Sequence, residues 1–305
     1  MFLKLKGLFK QFGLSAKLLS ANDPLRLAGA TAFFATFALP FILIILVQVL
    51  SLIFNKREIS QDIFIRISSI LGKKGMIQLV TTIKGFRGLV DNRWDIAIGS
   101  VFMLFVATTL FRVIKNSMNQ LWMIRLKPEK RLRTSLAGRF RSMILIIFTG
   151  ILFVTGGLLE SLQLLFGKNI NEIVPGNPIM LSGFFSVLTS IAITSVWFGM
   201  LLHFIPDGRP HWKVSASGAL LTSLLFAAGK FVLNILLVKS NIDQIFGASG
   251  SFVLILLFVF YSSIILYFGA AFTKVWSEYV QLPIKLLPHA VFYHLTDIEA
   301  NEQFD

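Results

Sequence analysis

Four histidines, His203, His211, His289 and His294, are where chemistry would start in a chain of 305 residues without cysteine. None belongs to an H-E-x-x-H motif or to a set with metal-ligand spacing. His289 and His294 have no nearby carboxylate before Asp297, so they read as solvated residues of a C-terminal tail. Lack of cysteine excludes thiolate metal sites, disulfides and thiol nucleophiles. The glycine-rich run at 247–251 lacks the Lys-Ser/Thr of a phosphate loop. It reads as a tight turn with Ser249 or Ser251 capping the next helix, and Gly250 leaves room for a head group to approach the backbone. No Ser-His-Asp arrangement is suggested by order or spacing. The residues thus predict no catalytic group, no metal and no cofactor, and a protein that is not an enzyme.

The remaining chemistry is polarity inside apolar runs. A charge within a membrane span costs about 2.5–3.5 kcal/mol on insertion scales, so it tends to face protein or a water-filled cavity. Lys230, with Asn234 one turn on, and Glu160 are such residues. They could form a buried pair, snorkel to an interface, or line a substrate path. Arg112, Asn116 and Asn119 crowd the end of another apolar run, where snorkelling and helix capping compete with a role in that path. Asp207 and Arg209 flank Gly208 and read as a local pair stabilising a turn. Pro206, Gly208, Gly247 and Gly250 are turn or hinge candidates, and Pro40 lies inside a span, where a static kink or a moving hinge is expected.

The elements that hold these residues are apolar helices. The chain is 55% hydrophobic and 14% charged, where a soluble domain would be nearer a quarter charged. The expected fold class is all-α: a polytopic membrane protein with six transmembrane helices at 28–54, 96–114, 142–166, 180–205, 214–238 and 251–276, plus extracytoplasmic and N-terminal amphipathic helices. The first span carries a small-residue face of Ala28, Ala32, Ala35 and Thr36, which lets a neighbour approach closely. Residues 1–27 form a basic amphipathic segment, either lying on an anionic leaflet or packed as a lid on the bundle. An amphipathic insertion covers 55–95, with helices at 59–71 and 76–90 lying flat. Residues 277–305 are a short cytoplasmic tail, partly disordered.

The net charge of +14 reads as Lys- and Arg-rich cytoplasmic loops rather than a nucleic-acid surface, since no basic–aromatic RNA-binding pattern accompanies it. With six spans, a cytoplasmic N-terminus puts more Lys and Arg inside than outside, so both termini are expected in the cytoplasm.

Several stretches resemble the YihY/BrkB family, once labelled ribonuclease BN. They are P-x-G-x-x-x-W at Pro206, Gly208 and Trp212; Gly218-Ala219; Ala228-Gly229-Lys230; the F-G-A-S-G-S run at 246–251; the run at 261–270; A-G-A-T-A-F-F-A-T-F-A-L-P at 28–40; and N-S-M-N-Q-L-W at 116–122. The family usually closes its last span with G-A-E, where this chain has Gly269-Ala270-Ala271, so no role of that Glu carries over. The resemblance implies a bacterial inner-membrane protein moving an amphiphile, a lipid or lipid-linked molecule, in the envelope. Membrane lipids are the expected partners, with a homo-oligomer or an envelope protein left open, and no nucleic acid. The alternative is a non-transporting scaffold or regulator. No residue supports the ribonuclease label.

Overall fold

Small residues set how the helices meet. In a computed structural model, the protein is described over residues 2–50, 80–81, 93–127, 148, 178–239 and 250–293. Six helices are described: α1 (Phe2–Ser20), α2 (Pro24–Leu50), α3 (Arg93–Leu121), α4 (Pro178–Phe204), α5 (Trp212–Lys239) and α6 (Gly250–Tyr279). Five of them overlap expected spans, α3 running on to Leu121 beyond the expected end at 114. Three contain stretches long and apolar enough to cross a membrane, Val187–Phe204, Trp212–Val232 and Ile255–Tyr279. The third expected span with Glu160, apart from helical residue 148, and Gly247 lie outside the described residues, as does the insertion at 55–95 apart from helical residues 80–81 and residues 93–95, which begin α3.

The small face of α2 does what its composition predicts. Ala28, Ala32, Ala35 and Thr36 are all buried, while Phe33 and Phe37 on the other side are exposed, as lipid-facing rings would be. α2 runs through Pro40 as one helix, with Pro40 buried. At its start Asp23 takes a left-handed φ of 51°, which Asp tolerates better than most residues, and Pro24 occupies the first helical position, where its missing N–H costs nothing.

α4 and α5 form an antiparallel hairpin with matched rungs: His203 Nδ1 lies 3.2 Å from Ser215 Oγ, a Cβ on Gly199 would sit 3.5 Å from the Ala219 methyl, and Ser195 and Ser223 share a hydrogen bond of 2.6 Å. α5 and α6 cross through a reciprocal exchange. Gly218 and Thr222 stand one turn apart on α5, and Gly269 and Thr273 one turn apart on α6. A Cβ on Gly218 would overlap the Thr273 hydroxyl, and one on Gly269 would overlap the Thr222 hydroxyl. Each hydroxyl donates to its own helix, Thr222 to the Gly218 carbonyl at 2.6 Å and Thr273 to the Gly269 carbonyl at 2.8 Å. Polar atoms are thereby satisfied inside an apolar contact. On the other side of α6, the buried Tyr267 hydroxyl meets Thr31 of α2 and Ser117 of α3.

The helix junctions 20–24, 121–127, 204–212 and 279–293 gather at one end. There β1 (Ile124–Leu126) pairs antiparallel with β4 (Ala290–Phe292), and β2 (Gly208–Arg209) with β3 (Lys285–Leu286). Residues 280–293, expected as a partly disordered tail, are instead built into this cap. α6 stops in a left-handed turn at Gln281, φ 56°, with the Leu282 N–H donating to the Ser277 carbonyl at 2.9 Å, a Schellman-type ending. The chain then turns back to pair with strands that have unmatched edges. Gly208 is needed there, because a Cβ would strike Ile284 and Ile124.

α1 lies against α6. Gln11, Ser15 and Leu19 are buried, and the Phe12 ring meets that of Phe268 at 4.7 Å. Phe9 is 70% exposed, and Lys10 and Lys17 are exposed on a different face. The helix therefore has three sides, one on the bundle, one apolar and open, one basic.

Candidate functional site

A single carboxylate organises the capped end. Asp207, in the turn between α4 and α5, is 0% exposed. Its Oδ1 lies 2.8 Å from Lys115 Nζ and accepts from His289 Nε2 at 3.0 Å. Its Oδ2 accepts from Asn119 Nδ2 at 2.7 Å, and its own N–H donates to Asn119 Oδ1 at 2.9 Å. Its carbonyl accepts from the Leu287 N–H at 2.9 Å. Three parts of the chain, the end of α3, this turn and the C-terminal segment, are tied through one residue. Burial pushes the carboxyl up, but the Lys115 charge and hydrogen bonds from Lys115, His289 and Asn119 outweigh it and hold Asp207 below the ordinary carboxylate range. It stays ionised at neutral pH, which suits a fixed counter-charge rather than a proton shuttle. Among the described residues no group of three His, Cys, Asp or Glu is placed to hold a metal.

Two expectations are corrected here. Asp207 does not serve a local turn with Arg209: it is drawn to Lys115, while the Arg209 guanidinium donates to the carbonyls of His203 and Pro206 at 2.6 and 3.0 Å. His289 is not a solvated tail residue, because the β-ladders carry it onto Asp207. Sequence separations of 92 residues for Lys115 and 82 for His289 hid both contacts. The available signal was an Asp between Pro206 and Pro210 in a chain poor in acids.

The other candidates divide. Asn119 belongs to the site. Arg112 and Asn116 are exposed on α3. Lys230 is exposed on α5, far from the cap, and Asn234 follows it on the same helix. Pro206 and Gly208 lie buried in the cap. Gly250 begins α6, matching the expected turn and helix start. Ala271 is fully buried in the core.

Beside the Asp207 network an open cleft of about 680 Å³ runs between α1 and the end of α6. Leu14 and Leu18 line one wall, Trp122 and Met123 the back, and Lys274, Glu278 and Tyr279 the other wall, with Phe292 and Tyr293 closing it. Trp122 is fixed by donating its indole N–H to the Ala270 carbonyl at 2.9 Å. Lys274 Nζ lies 3.0 Å from Glu278 Oε1 and 5.2 Å from the centre of the Phe292 ring.

Three of the stretches that carry the family resemblance, 116–122, 206–212 and the end of 261–270, meet around this end. The family described as Virulence factor BrkB matches residues 16–291. The chain belongs to that family. Similar curated proteins include a UPF0761 membrane protein of Pseudomonas paraeruginosa, 26% identical over 57% of this chain and 40% of that one. Another, from Pseudoalteromonas translucida, is 25% identical over 63% of this chain and 60% of its own, and one from Teredinibacter turnerae is 28% identical over 60% and 41%. The matches thus span about two-fifths to three-fifths of those relatives. No solved structure matches. With its apolar helices, this BrkB-family chain is a membrane protein.

Proposed function

We propose that this protein moves an amphiphile, a lipid or lipid-linked molecule, within or across the bacterial cytoplasmic membrane. The observation carrying the reading is the cleft: it joins apolar walls to a Lys–Glu pair, and its rim includes the exposed Leu14 of α1. That is the chemistry an amphiphile needs at the point where its head group leaves the water. The reading takes six spans, with the capped end in the cytoplasm. In support, Lys10, Lys17, Arg26, Lys115, Arg125, Lys127, Arg209, Lys213, Lys274 and Lys285 gather near the cap, against Arg93, Lys230 and Lys239 toward the far end. The Asp207 network acts in it as the fixed hub against which α1 and the cleft can work, and no residue is assigned a catalytic role.

The test is flux. The purified protein is reconstituted into vesicles carrying a fluorescent lipid, and loss of outer-leaflet signal to a membrane-impermeant quencher is followed. Faster exchange than in protein-free vesicles is expected. No acceleration, together with a large co-purifying envelope protein, would replace this reading with a scaffold. For orientation, the natural lack of cysteine gives a clean background: a cysteine introduced at Arg131 should stay unlabelled by an impermeant thiol reagent in intact cells, while one at Asn241 reacts.

A further inference from the structure

We infer that the cleft between α1 and α6 binds the head group of an aminoalkyl-phosphate lipid of the phosphoethanolamine type. The inference rests on the amphiphile reading for why a lipid is present, and it names the head-group class.

The depth is right. Lys274 and Glu278 stand near the end of the apolar stretch Ile255–Tyr279, at the level where head groups lie. Trp276 stacks on Phe272 at 5.6 Å and meets Tyr279 at 5.4 Å, forming an aromatic collar of the kind found at membrane interfaces. The lip is apolar and open: Leu14 is exposed on the α1 side, and Tyr279 and Phe292 on the other. An acyl chain can thus stay in the bilayer while its head enters.

The charge pattern chooses the head. Lys274 is 22% exposed and Glu278 62%, so the cation lies deeper than the anion. A phosphate meeting the Lys274 ammonium places its ethanolamine nitrogen, two carbons away, outward beside the Glu278 carboxylate. Gln11, which lines the cleft, offers an amide to the phosphate. The two side chains neutralise each other across 3.0 Å, so neither is left without a counter-charge. A ligand that carries both charges replaces that contact with two, whereas a purely anionic head satisfies Lys274 and leaves Glu278 facing like charge. A choline head has no N–H to give the carboxylate. Trp122, Phe292 and Tyr293 wall the space.

The experiment uses the full chain in detergent with a single cysteine at Leu14→Cys on the cleft wall, and follows its reaction with a maleimide. Dihexanoyl phosphatidylethanolamine should slow labelling, and about tenfold less lipid should be needed than for the matching phosphatidylglycerol or phosphatidylcholine, the discrimination that one charged contact supplies. Glu278→Gln, at an exposed position that folding tolerates, should erase the preference over phosphatidylglycerol, and Lys274→Gln should remove protection by all three. Equal protection by all three lipids in the unsubstituted background would overturn the head-group assignment. Equal protection by soluble phosphoethanolamine would show a water-soluble ligand and overturn the lipid one. No protection by any of them removes the site. Flux reports separately: protection without flux leaves the site standing and ends the transport reading, while flux without protection does the reverse.

Discussion

The α5–α6 crossing and the Asp207 cap hold the bundle together by opposite means. At the crossing, contact is steric and spread out. Gly218 accepts Thr273, Gly269 accepts Thr222, and each hydroxyl is satisfied by its own backbone. No single atom dominates, and every partner sits at a helical repeat. At the cap, the contact is electrostatic and concentrated. One carboxylate collects a lysine, a histidine and an asparagine from distant segments. The comparison teaches that the membrane core relies on shape, where no hydrophobic force separates helix from lipid, and the water-facing end on charge. It also predicts that damage at the cap is larger per atom removed and depends on pH, while damage at the crossing is smaller and can be repaired sterically.

The largest effect is expected from Asp207→Asn. Lys115, 16% exposed, would keep its charge beside a neutral amide. Breaking a buried pair by removing one partner typically costs about 3–5 kcal/mol, so a clear fall in Tm in detergent is expected. Adding Lys115→Met should recover much of the loss. If the double variant is no more stable than Asp207→Asn, the cap is not organised by this pair.

The same variant sharpens the comparison through pH. Asp207 has its folded pKa depressed below an ordinary value near 3.8. A depressed carboxyl contributes stability that is fully present above the unfolded pKa and fades as pH falls through the folded one. The stability gap between the unsubstituted protein and Asp207→Asn should therefore narrow as pH falls below about 3.8. A gap that stays constant in acid would mean the Asp207 carboxyl is not depressed. Crossing variants should show no such pH dependence.

At the crossing, Gly269→Ala should cost about 1–3 kcal/mol, the usual range for overpacking. The decisive variant is Gly269→Ala with Thr222→Ala, which removes the overlapping hydroxyl. Recovery of more than half the loss is expected from thermal unfolding of both. A double variant worse than the single would mean that Thr222 contributes through its hydrogen bond and not through its shape.

This difference also explains what could be read from sequence. The helices were legible because apolar runs of the required length report themselves, and the α2 face was legible because Ala28, Ala32, Ala35 and Thr36 repeat on one side. Gly218, Gly229 and Gly269 stood out through family resemblance, and each proves to be a place where a Cβ would meet another helix. The cap was not legible. Strands of two or three residues carry no periodicity, and the Lys115–Asp207–His289 set exists only after four helix ends have been brought together. α1 shows the middle case: its pattern left two readings open, and the structure gives it both a bundle face and an open apolar face.

The smallest effect is expected from Lys230, where the sequence pointed to the membrane interior. Lys230 is exposed on α5, and eighteen residues from the start of that helix place it roughly 27 Å from the cap at 1.5 Å per residue. That is close to the roughly 30 Å thickness of the hydrocarbon core, so its stem can lie along the helix while its ammonium reaches the far interface. A charge able to reach water in this way holds nothing in place. Lys230→Met should therefore change stability by no more than about 0.5 kcal/mol, as surface substitutions do, and should leave the Leu14→Cys protection by phosphatidylethanolamine as it was. Glu160→Gln provides the cross-check, since opposite charges inside two apolar runs could form a buried pair. Independent sites add to within about 0.3–0.5 kcal/mol, whereas contacting charges do not. If the double variant recovers more than about 1 kcal/mol relative to the sum of the singles, Lys230 and Glu160 form a buried pair after all. The division between a steric membrane core and an electrostatic cap would then fail at its far end.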